Sequence, residues 1–229
     1  MREIVLDTET TGFEPKEGDR IVEIGAVELF NHLPTGRSFH RYINPQRSMP
    51  EGAFGVHGLS SEFLSDKPVF KAVAQEFIDF IGGSKLVIHN AAFDMKFLNA
   101  ELGWANHQFL EKERAIDTLT IARRKFPGSP ASLDALCRRF SIDNSSRTLH
   151  GALLDSEILA EVYLELIGGR QPDLVLSGPA ANKTKDGSET LEWRPKQRPM
   201  PLEPRISDEE KAAHAKFIAT FETDTVWSS

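Results

Sequence analysis

The spacing of apolar residues changes along this chain, and the change restricts its possible folds more than any other feature. A short apolar run with β-branched residues predicts a strand over residues 4–6, and alternation of apolar and polar residues predicts a second over residues 20–30. A third strand is predicted over residues 38–43. Glycine and proline lie between these segments, as is typical of turns. Beyond Pro68 the apolar residues recur at intervals of three and four. Strands that give way to helices and a further strand indicate an α/β domain.

Helices are predicted wherever the longer spacing persists. They cover residues 69–81, 93–102, 132–140 and 149–167, with a buried strand at residues 85–89 between the first two. Ser132 is expected to cap the third helix, and Gly168-Gly169 is expected to end the last one. The folded domain is therefore predicted to occupy residues 1–170.

The composition changes after residue 170. Six of the 13 prolines fall between Pro172 and Pro204, and residues 177–205 contain few apolar side chains, which predicts a disordered linker. Ser207 and Glu210 then form a capping-box pattern, so a short helix is predicted within residues 206–229. Such a helix is marginal in water, and we expect a partner to cover its apolar face. The alternative is a frayed terminus.

Composition excludes several classes of protein. A chain of 229 residues can bury a core without disulfides, and its single cysteine, Cys137, rules out an intrachain disulfide. No apolar run approaches the roughly 18 residues of a membrane span. The start of the chain carries Glu3 and Asp7 where a secretory signal needs an apolar segment. We therefore expect a cytoplasmic protein with no membrane partner.

The net charge limits how the chain can bind nucleic acid. Its 27 basic and 34 acidic residues give a formal charge of −7. A protein that holds nucleic acid through phosphate contacts alone is usually basic. If this chain acts on nucleic acid, it is expected to do so briefly, through metal ions, or while attached to a partner.

Two carboxylates lie at the end of the first predicted strand as the pair Asp7-x-Glu9. Alternate residues of a strand lie on one face, so both side chains are expected to point the same way. Carboxylates this close together repel each other unless a cation lies between them. The alternative is that both are solvated acids in a turn.

Two further acids lie at predicted helix starts. Asp94 opens one helix and Asp155 the last one, and each is also explained as a first-turn acid favoured by the helix dipole. His150 precedes Asp155 by five residues, which is about 140° around a helix. The two side chains therefore meet only if His150 lies at the cap or in the preceding loop. Otherwise they are a surface histidine and an exposed acid.

Taken together, the four acids lie where an open α/β sheet places its ligand site, at strand ends and helix starts. Carboxylate oxygens without a cysteine ligand favour Mg²⁺ or Mn²⁺ over zinc. The sequence contains neither a GxxxxGK phosphate loop nor a GxSxG elbow. These residues predict a metal site built from carboxylates.

Three segments resemble, in order, the exonuclease motifs of the DEDDh family. They are Asp7-Thr8-Glu9-Thr10-Thr11-Gly12, Asn90-x-x-Phe93-Asp94 and His150-x4-Asp155. Longer stretches look like one branch of that family, the epsilon subunits of bacterial DNA polymerase III: Phe54-Gly55-Val56-His57-Gly58-Leu59, His89-Asn90-Ala91-Ala92-Phe93-Asp94, Ser132-Leu133-Asp134-Ala135-Leu136-Cys137 and Leu149-His150-Gly151-Ala152-Leu153-Leu154-Asp155. The resemblance covers residues 1–176.

The resemblance implies a ribonuclease H-like exonuclease fold, with a mixed five-stranded sheet flanked by helices and a flexible C-terminal tail. It implies a proofreading enzyme that hydrolyses mispaired or single-stranded DNA 3′ ends in the 3′→5′ direction, with two Mg²⁺ or Mn²⁺ ions. By analogy, Asp7 bridges both ions, Glu9 and Asp155 hold the ion beside the attacking water, and Asp94 supports the second. His150 is the general base by the same analogy.

Contacts to the substrate are expected from three residues beside the acids. Thr8 and Thr10 flank Asp7 and Glu9, and His57, in a predicted loop over residues 54–59, resembles a family position near the bound nucleotide. The alternative for His57 is a hydrogen bond that holds this loop in a turn. A further acid, Asp117, is expected to cap a helix.

The tail resembles an assembly segment. Residues 171–176 look like the peptide by which replication proteins bind the sliding clamp (beta), through Gln171, Asp173, Leu174 and Leu176. The alternative is the start of an ordinary linker. Residues 206–229 resemble the family segment that binds the polymerase alpha subunit, here through Phe217, Ile218 and Phe221. Two other functions stay open: a free-standing DEDDh exonuclease on DNA or RNA, and a mainly structural link between clamp and polymerase.

Overall fold

The computed structural model describes residues 1–145, 147, 149–169 and 206–221. The chain divides into two units, Met1–Val175 and Leu176–Ser229. The described part of the first unit contains the strands β1 (Arg2–Thr10), β2 (Ile21–Phe30), β3 (Leu33–Tyr42), β4 (Lys85–Ile88) and β5 (Ala115–Asp117). Its α-helices are α1 (Glu51–His57), α2 (Ser61–Leu64), α3 (Phe70–Ile81), α4 (Ala91–Trp104), α5 (Thr118–Lys125), α6 (Leu133–Phe140) and α7 (Ala152–Leu166).

The strands form one mixed sheet in the order β3-β2-β1-β4-β5. β1 and β3 pair with β2 in the antiparallel sense, whereas β4 pairs with β1 and β5 in the parallel sense. In the β1–β2 ladder Asp7 lies opposite Gly25, and Glu9 lies opposite Glu23. The predicted mixed five-stranded sheet is confirmed, and the strand that carries two of the acids lies at its centre.

Helices cover both faces of the sheet, and alternation along β1 decides which residues meet which helix. Ile4 and Leu6 belong to a buried cluster with Phe77 of α3. Val5 belongs to a separate cluster with Leu159 of α7. Because side chains alternate along a strand, Asp7 shares the α7 face with Val5. Burial of apolar surface on both faces holds this layered arrangement together.

Most predicted elements occur with shifted ends. α3 begins at Phe70, because Val69 is extended and forms its N-cap. The predicted cap on α6 is confirmed, since the Ser132 side chain accepts a hydrogen bond from the backbone N–H of Ala135. α7 begins at Ala152, three residues after the predicted start, so the residues before it form a loop.

Some local predictions were wrong. β1 runs from Arg2 to Thr10 and not only over residues 4–6, although Asp7 and Glu9 lie in its last four residues, at the end of the strand as predicted. The predicted loop over residues 54–59 is mostly helix α1, which ends where Gly58 adopts a left-handed conformation with φ of 72° and donates its N–H to the Phe54 carbonyl. A left-handed glycine is a common helix terminator. The short elements α2 and β5 were not predicted, and of α5 only the cap, Asp117, was expected.

The described part of the second unit, residues 206–221, contains the helix α8 (Asp208–Ile218). The predicted capping box is confirmed: the Ser207 hydroxyl accepts from the N–H of Glu210, and the Glu210 carboxylate accepts from the N–H of Ser207. The predicted clamp peptide and linker, residues 171–205, lie outside the described residues. Within the part of the chain that the structure describes, no helix is long and apolar enough to cross a membrane.

Candidate active site

Three elements bring the predicted acids together. β1 carries Asp7 and Glu9, while Asp94 and Asp155 lie in the first turns of α4 and α7. Asp94 and Asp155 are each 3 % exposed, and Glu9 is 8 % exposed. Acidic side chains are rarely buried to this extent unless another charge compensates them. Their clustering in the interior therefore indicates a site and not a solvated surface.

The start of α7 lies directly against β2, which sets the position of Asp155. Gly25 approaches the helix so closely that a Cβ atom on it would lie 2.1 Å from the backbone carbonyl carbon of Ala152. Only glycine permits this approach. Gly25 is also the residue paired with Asp7 in the sheet, so the contact brings Asp155 to the β1 acids.

Thr8 connects β1 to α4. Its backbone N–H and its hydroxyl both donate to Asp94 Oδ1, at 3.1 Å and 2.7 Å. The hydroxyl of Thr10 donates to the carbonyl of Gly12 at 2.6 Å. Thr8 and Thr10 were expected to contact substrate through their backbone or their hydroxyls, and both hydroxyls have partners within the protein. Thr8 orients an acid of the site.

His150 lies in the loop before α7, as its spacing from Asp155 requires. Its backbone N–H donates to the carbonyl of Val56 at 3.1 Å, which ties the loop to α1. Its Nδ1 lies 3.3 Å from Asp155 Oδ2. Candidate ligand atoms of Glu9, His150 and Asp155 all lie within 4.8 Å of one another. Asp7 and Asp94 are outside this tight group but interact with it electrostatically.

Burial raises the pKa of three acids. Burial, together with the charge of Asp155, raises the pKa of Glu9 to about 8. Burial also raises the pKa of Asp94, to about 7, although the hydrogen bonds from Thr8 oppose the shift. The pKa of Asp7 lies well above its usual range because of burial and the neighbouring acids.

These carboxylates cannot all be ionised at neutral pH without added positive charge nearby. A divalent cation supplies such charge, and carboxylate oxygens are the ligands that Mg²⁺ and Mn²⁺ prefer. The acids of the site therefore fit such ions by both their chemistry and their electrostatics.

An arginine that no sequence motif indicated lies inside the site. The guanidinium of Arg147 donates to both carboxylate oxygens of Asp155, with a distance of 2.8 Å from Nη2 to Oδ2. Its Nη1 donates to Asp134 Oδ1 at 2.8 Å, and its Nη2 lies 2.7 Å from His150 Nδ1. The side chain is only 9 % exposed. The one signal in the sequence is a basic residue three positions before His150.

Two clefts adjoin the acids. One, of about 420 Å³, is lined by Asp7, Arg147, His150 and Asp155, together with residues of α5 and α6. The other, of about 510 Å³, is lined by Thr8, Glu9, Thr10, His57 and Phe93, together with residues of α1 and of the loop after β1. Both volumes fall in the range of small-molecule binding sites.

His57 has a local hydrogen bond and also lines the second cleft. The backbone N–H of Leu59 donates to His57 Nδ1 at 3.0 Å, so the bond expected of a structural role is present. Burial lowers the pKa of His57, which favours the neutral ring. Both alternatives for this residue are thus compatible with its position.

Asp117 caps a helix, as predicted. It is the N-cap of α5, and its Oδ1 accepts from the backbone N–H of Leu119 at 3.0 Å. The same oxygen accepts from the N–H of Asn90, the residue before α4, at 3.1 Å. Asp117 therefore joins the ends of the parallel strands β4 and β5 beside the site.

Known proteins similar to this chain agree on its family. The family model described as Exonuclease matches residues 4–163. The DNA polymerase III subunit epsilon of Rickettsia felis is 50% identical over 223 residues, which cover 96% of each chain. The protein of the same name from Escherichia coli K12 is 47% identical over 220 residues, covering 93% of this chain and 90% of its own.

Solved structures show the same fold. Exonuclease X, in complex with 5′ overhanging duplex DNA, is 26% identical with a TM-score of 0.58, and the match covers 72% of this chain and 90% of that one. The nuclease domain of 3′hExo, a DEDDh family member bound to rAMP, has a TM-score of 0.63 at 20% identity, over 72% and 91% of the two chains. All five predicted catalytic residues lie within the segment that the family model matches. The ribonuclease H-like fold, the exonuclease match and the full-length relatives together show that this chain belongs to the DNA polymerase III epsilon family of exonucleases.

Proposed function

We propose that this chain is the proofreading subunit of a bacterial replicative DNA polymerase, removing mispaired nucleotides from DNA 3′ ends by two-metal hydrolysis. The observation that carries the proposal is the clustering of buried carboxylates from β1, α4 and α7, with His150 beside Glu9 and Asp155. The names of its full-length relatives support the assembly, and the exonuclease match supports the reaction. We also propose a cytoplasmic location, because replication of the bacterial chromosome takes place there.

The acids would hold the ions, and Asp7 is the one suited to bridge them. Its charge interacts with those of Asp94, Glu9 and Asp155. Two bound divalent ions stabilise charge on the attacking and leaving oxygens of a phosphodiester. His150 would accept a proton from the attacking water on its imidazole. Its half-exposed side chain, on a loop and not on a helix, leaves it room to turn toward that water.

The second cleft is proposed to receive the terminal nucleotide. It has room for a sugar and base, and Phe93 offers an aromatic ring on which a base can stack. Thr10 and His57 line the same cleft, so their backbone and ring groups are available to a bound nucleotide. Thr8 is proposed to orient Asp94 through its hydroxyl, in addition to any contact that it makes with substrate.

The tail is proposed to supply the binding to partners that the acidic domain lacks. Phe217 of α8 and Phe221, three residues beyond its end, are 60% and 47% exposed, and their rings lie 5.0 Å apart. They form a small apolar surface suited to the polymerase alpha subunit. Residues 171–176 are proposed to bind the sliding clamp. A tether of this kind raises the local concentration of exonuclease at the primer end.

Hydrolysis of a 5′-labelled single-stranded DNA and of a mispaired primer-template tests the proposed reaction. We expect a ladder that shortens from the 3′ end, only with Mg²⁺ or Mn²⁺, and its loss in Asp7→Asn. A labelled RNA strand serves as the comparison substrate. Equal or faster cleavage of RNA, or metal-independent cleavage, would contradict the proposal.

Removal of residues 206–229 tests the tether. The truncated chain is expected to lose co-elution with the polymerase alpha subunit and to keep its rate on free single strands. The double substitution Phe217→Ser and Phe221→Ser should weaken the complex in the same way. Unchanged co-elution of both variants would exclude this segment as the binding site.

A further inference from the structure

The guanidinium of Arg147 occupies the side of the acid cluster formed by Asp155 and His150. It donates to both oxygens of Asp155, and its Nη2 lies 2.7 Å from His150 Nδ1. A carboxylate whose two oxygens both accept from one guanidinium is engaged in a strong, charge-assisted interaction. Asp155 therefore has a complete partner without any metal ion.

A guanidinium and a divalent cation exclude each other at this position. Arginine stays charged under all conditions that a protein tolerates, so it cannot relieve the repulsion by losing a proton. The same Nη2 group also engages the nitrogen of His150 that faces Asp155. While Arg147 holds this place, a metal ligand and the proposed base are both occupied.

We propose that Arg147 is a positioning residue that substitutes for the divalent ion in the metal-free site and is displaced when the ion binds. One movement of its side chain then frees Asp155 and His150 together. This inference rests on the proposed function, because it takes Asp155 as a metal ligand and His150 as the base.

The structure offers the displaced side chain a second partner. Nη1 of Arg147 donates to Asp134 Oδ1 at 2.8 Å, and the Asp134 side chain is 44% exposed at the cleft, against 4% for Asp155. Asp134 is itself held by the side-chain amide of Asn144 at 3.0 Å. Arg147 can therefore leave Asp155 while it keeps its outer ion pair, and it lies in the segment between α6 and α7, outside both helices.

Titration of the full-length chain with Mn²⁺ by calorimetry tests the competition directly. Arg147→Gln removes the charge and is expected to bind Mn²⁺ about 10- to 100-fold more tightly than the wild type, the equivalent of one charge-assisted interaction. Arg123→Gln is the matched control. Arg123 lines the same cleft and loses the same charge, but it is exposed on α5. The control is expected to change the affinity by less than about threefold, since exposed charges act weakly.

Thermal unfolding supplies a readout that does not depend on catalysis. In EDTA, Arg147→Gln should melt below the wild type, because Asp155 loses its counter-charge. In saturating Mn²⁺ the difference should disappear or reverse. An equal loss of Tm with and without Mn²⁺ would show an ordinary structural residue, and unchanged or weaker Mn²⁺ binding by Arg147→Gln would also overturn the inference.

A conservative variant covers the case in which Arg147→Gln does not fold. Arg147→Lys keeps the charge but cannot form the paired hydrogen bonds of a guanidinium. It should bind Mn²⁺ several-fold more tightly than the wild type, and equal or weaker binding would overturn the inference. If no variant and no wild-type sample binds Mn²⁺, the proposed metal site fails as well. If the wild type binds Mn²⁺ and Asp7→Asn does not, the proposed metal site stands. The results for the Arg147 variants then test the role of Arg147 alone.

Discussion

Ser156 of α7 donates its hydroxyl to the backbone carbonyl of Gly25 on β2 at 2.9 Å, and both groups are buried. The bond joins residues 131 positions apart and fixes how deeply α7 sits on the sheet. Because Gly25 pairs with Asp7, the depth of α7 also determines the approach of Asp155 to the β1 acids. A hydrogen bond between two groups that take no part in the reaction thus sets the geometry of the site.

Gly25→Ala is expected to destabilise the protein and to lower nuclease activity. The added Cβ would lie 2.1 Å from backbone atoms of α7, so the helix must move away from β2. Overpacking of this kind costs about 1–3 kcal/mol, and the movement takes Asp155 with it. Urea unfolding and the hydrolysis rate measure the two effects. Gly55→Ala, inside α1 with open space around its Cβ position, is the control and should not destabilise. Equal stability of the two variants would contradict the argument.

Thr8→Val is expected to weaken Mn²⁺ binding about tenfold. The substitution keeps the backbone N–H bond to Asp94 and removes the hydroxyl bond of 2.7 Å. A hydrogen bond to a charged group contributes about 1.5–3 kcal/mol, and its loss raises the pKa of Asp94 further, since the Thr8 hydroxyl lowers it. Thr8→Ser keeps the hydroxyl and should bind nearly as the wild type does. If the valine and serine variants bind Mn²⁺ equally, the hydroxyl has no such role.

His150→Ala is expected to slow hydrolysis about 10²–10⁴-fold, the usual contribution of a general base. Mn²⁺ binding should persist, because the four carboxylates remain. Single-turnover cleavage at saturating Mn²⁺ separates the chemical step from metal binding. His107→Ala, three residues beyond the C-terminal end of α4, is the histidine control. A wild-type rate in His150→Ala would remove the assigned base.

The metal-free protein is expected to lose stability as the pH rises from about 4.5 to about 8. The pKa of Glu9 is about 8 in the folded state, against its ordinary value of 4.5, and the pKa of Asp94 is about 7 against 3.8. In this interval the folded protein keeps protons that the unfolded chain has released, so the free energy of unfolding falls as the pH rises. The stabilising contribution is complete below the unfolded values and is lost above the folded ones.

Urea unfolding in EDTA between pH 5 and pH 8 measures this dependence. Glu9→Gln removes one of the titrating groups and should flatten the curve relative to the wild type. Identical slopes for the two proteins would mean that Glu9 titrates normally in the folded state, which is the opposite of what its burial requires.

Glu101→Ala is expected to cost about 1.5–3 kcal/mol of stability, the usual contribution of hydrogen bonds to a charged group, because the Arg20 side chain left behind is 23% exposed. Glu101 is 1 % exposed, accepts two hydrogen bonds from Arg20 at 2.7 and 2.8 Å, and ties α4 to the start of β2. Glu76→Ala breaks the exposed pair with Arg41 and should cost less than about 1 kcal/mol. Chemical unfolding of both variants checks the contrast, and similar losses would refute it.

Local features of the chain predicted most of the fold. The spacing of apolar residues predicted β2 and α3 nearly to the residue, and Ser132 and Ser207 cap helices as expected. α1 was missed because its seven residues include Gly52 and Gly55, which lower helix propensity. β5 was missed because three residues are too few for a periodic pattern.

The sequence by itself determined which residue types the site has, because carboxylates at strand and helix positions are readable over a few neighbouring residues. It also required His150 to lie outside the last helix, since five residues do not return to one helix face. Only the tertiary structure decided that Thr8 orients Asp94, that Gly25 admits α7 to the sheet, and that Arg147 lies against Asp155. The contacts of Thr8 and Gly25 join segments distant in the chain, and the guanidinium of Arg147 reaches its place only because packing of α7 buries a carboxylate beside its loop. The spacing of residues along the chain does not indicate such contacts.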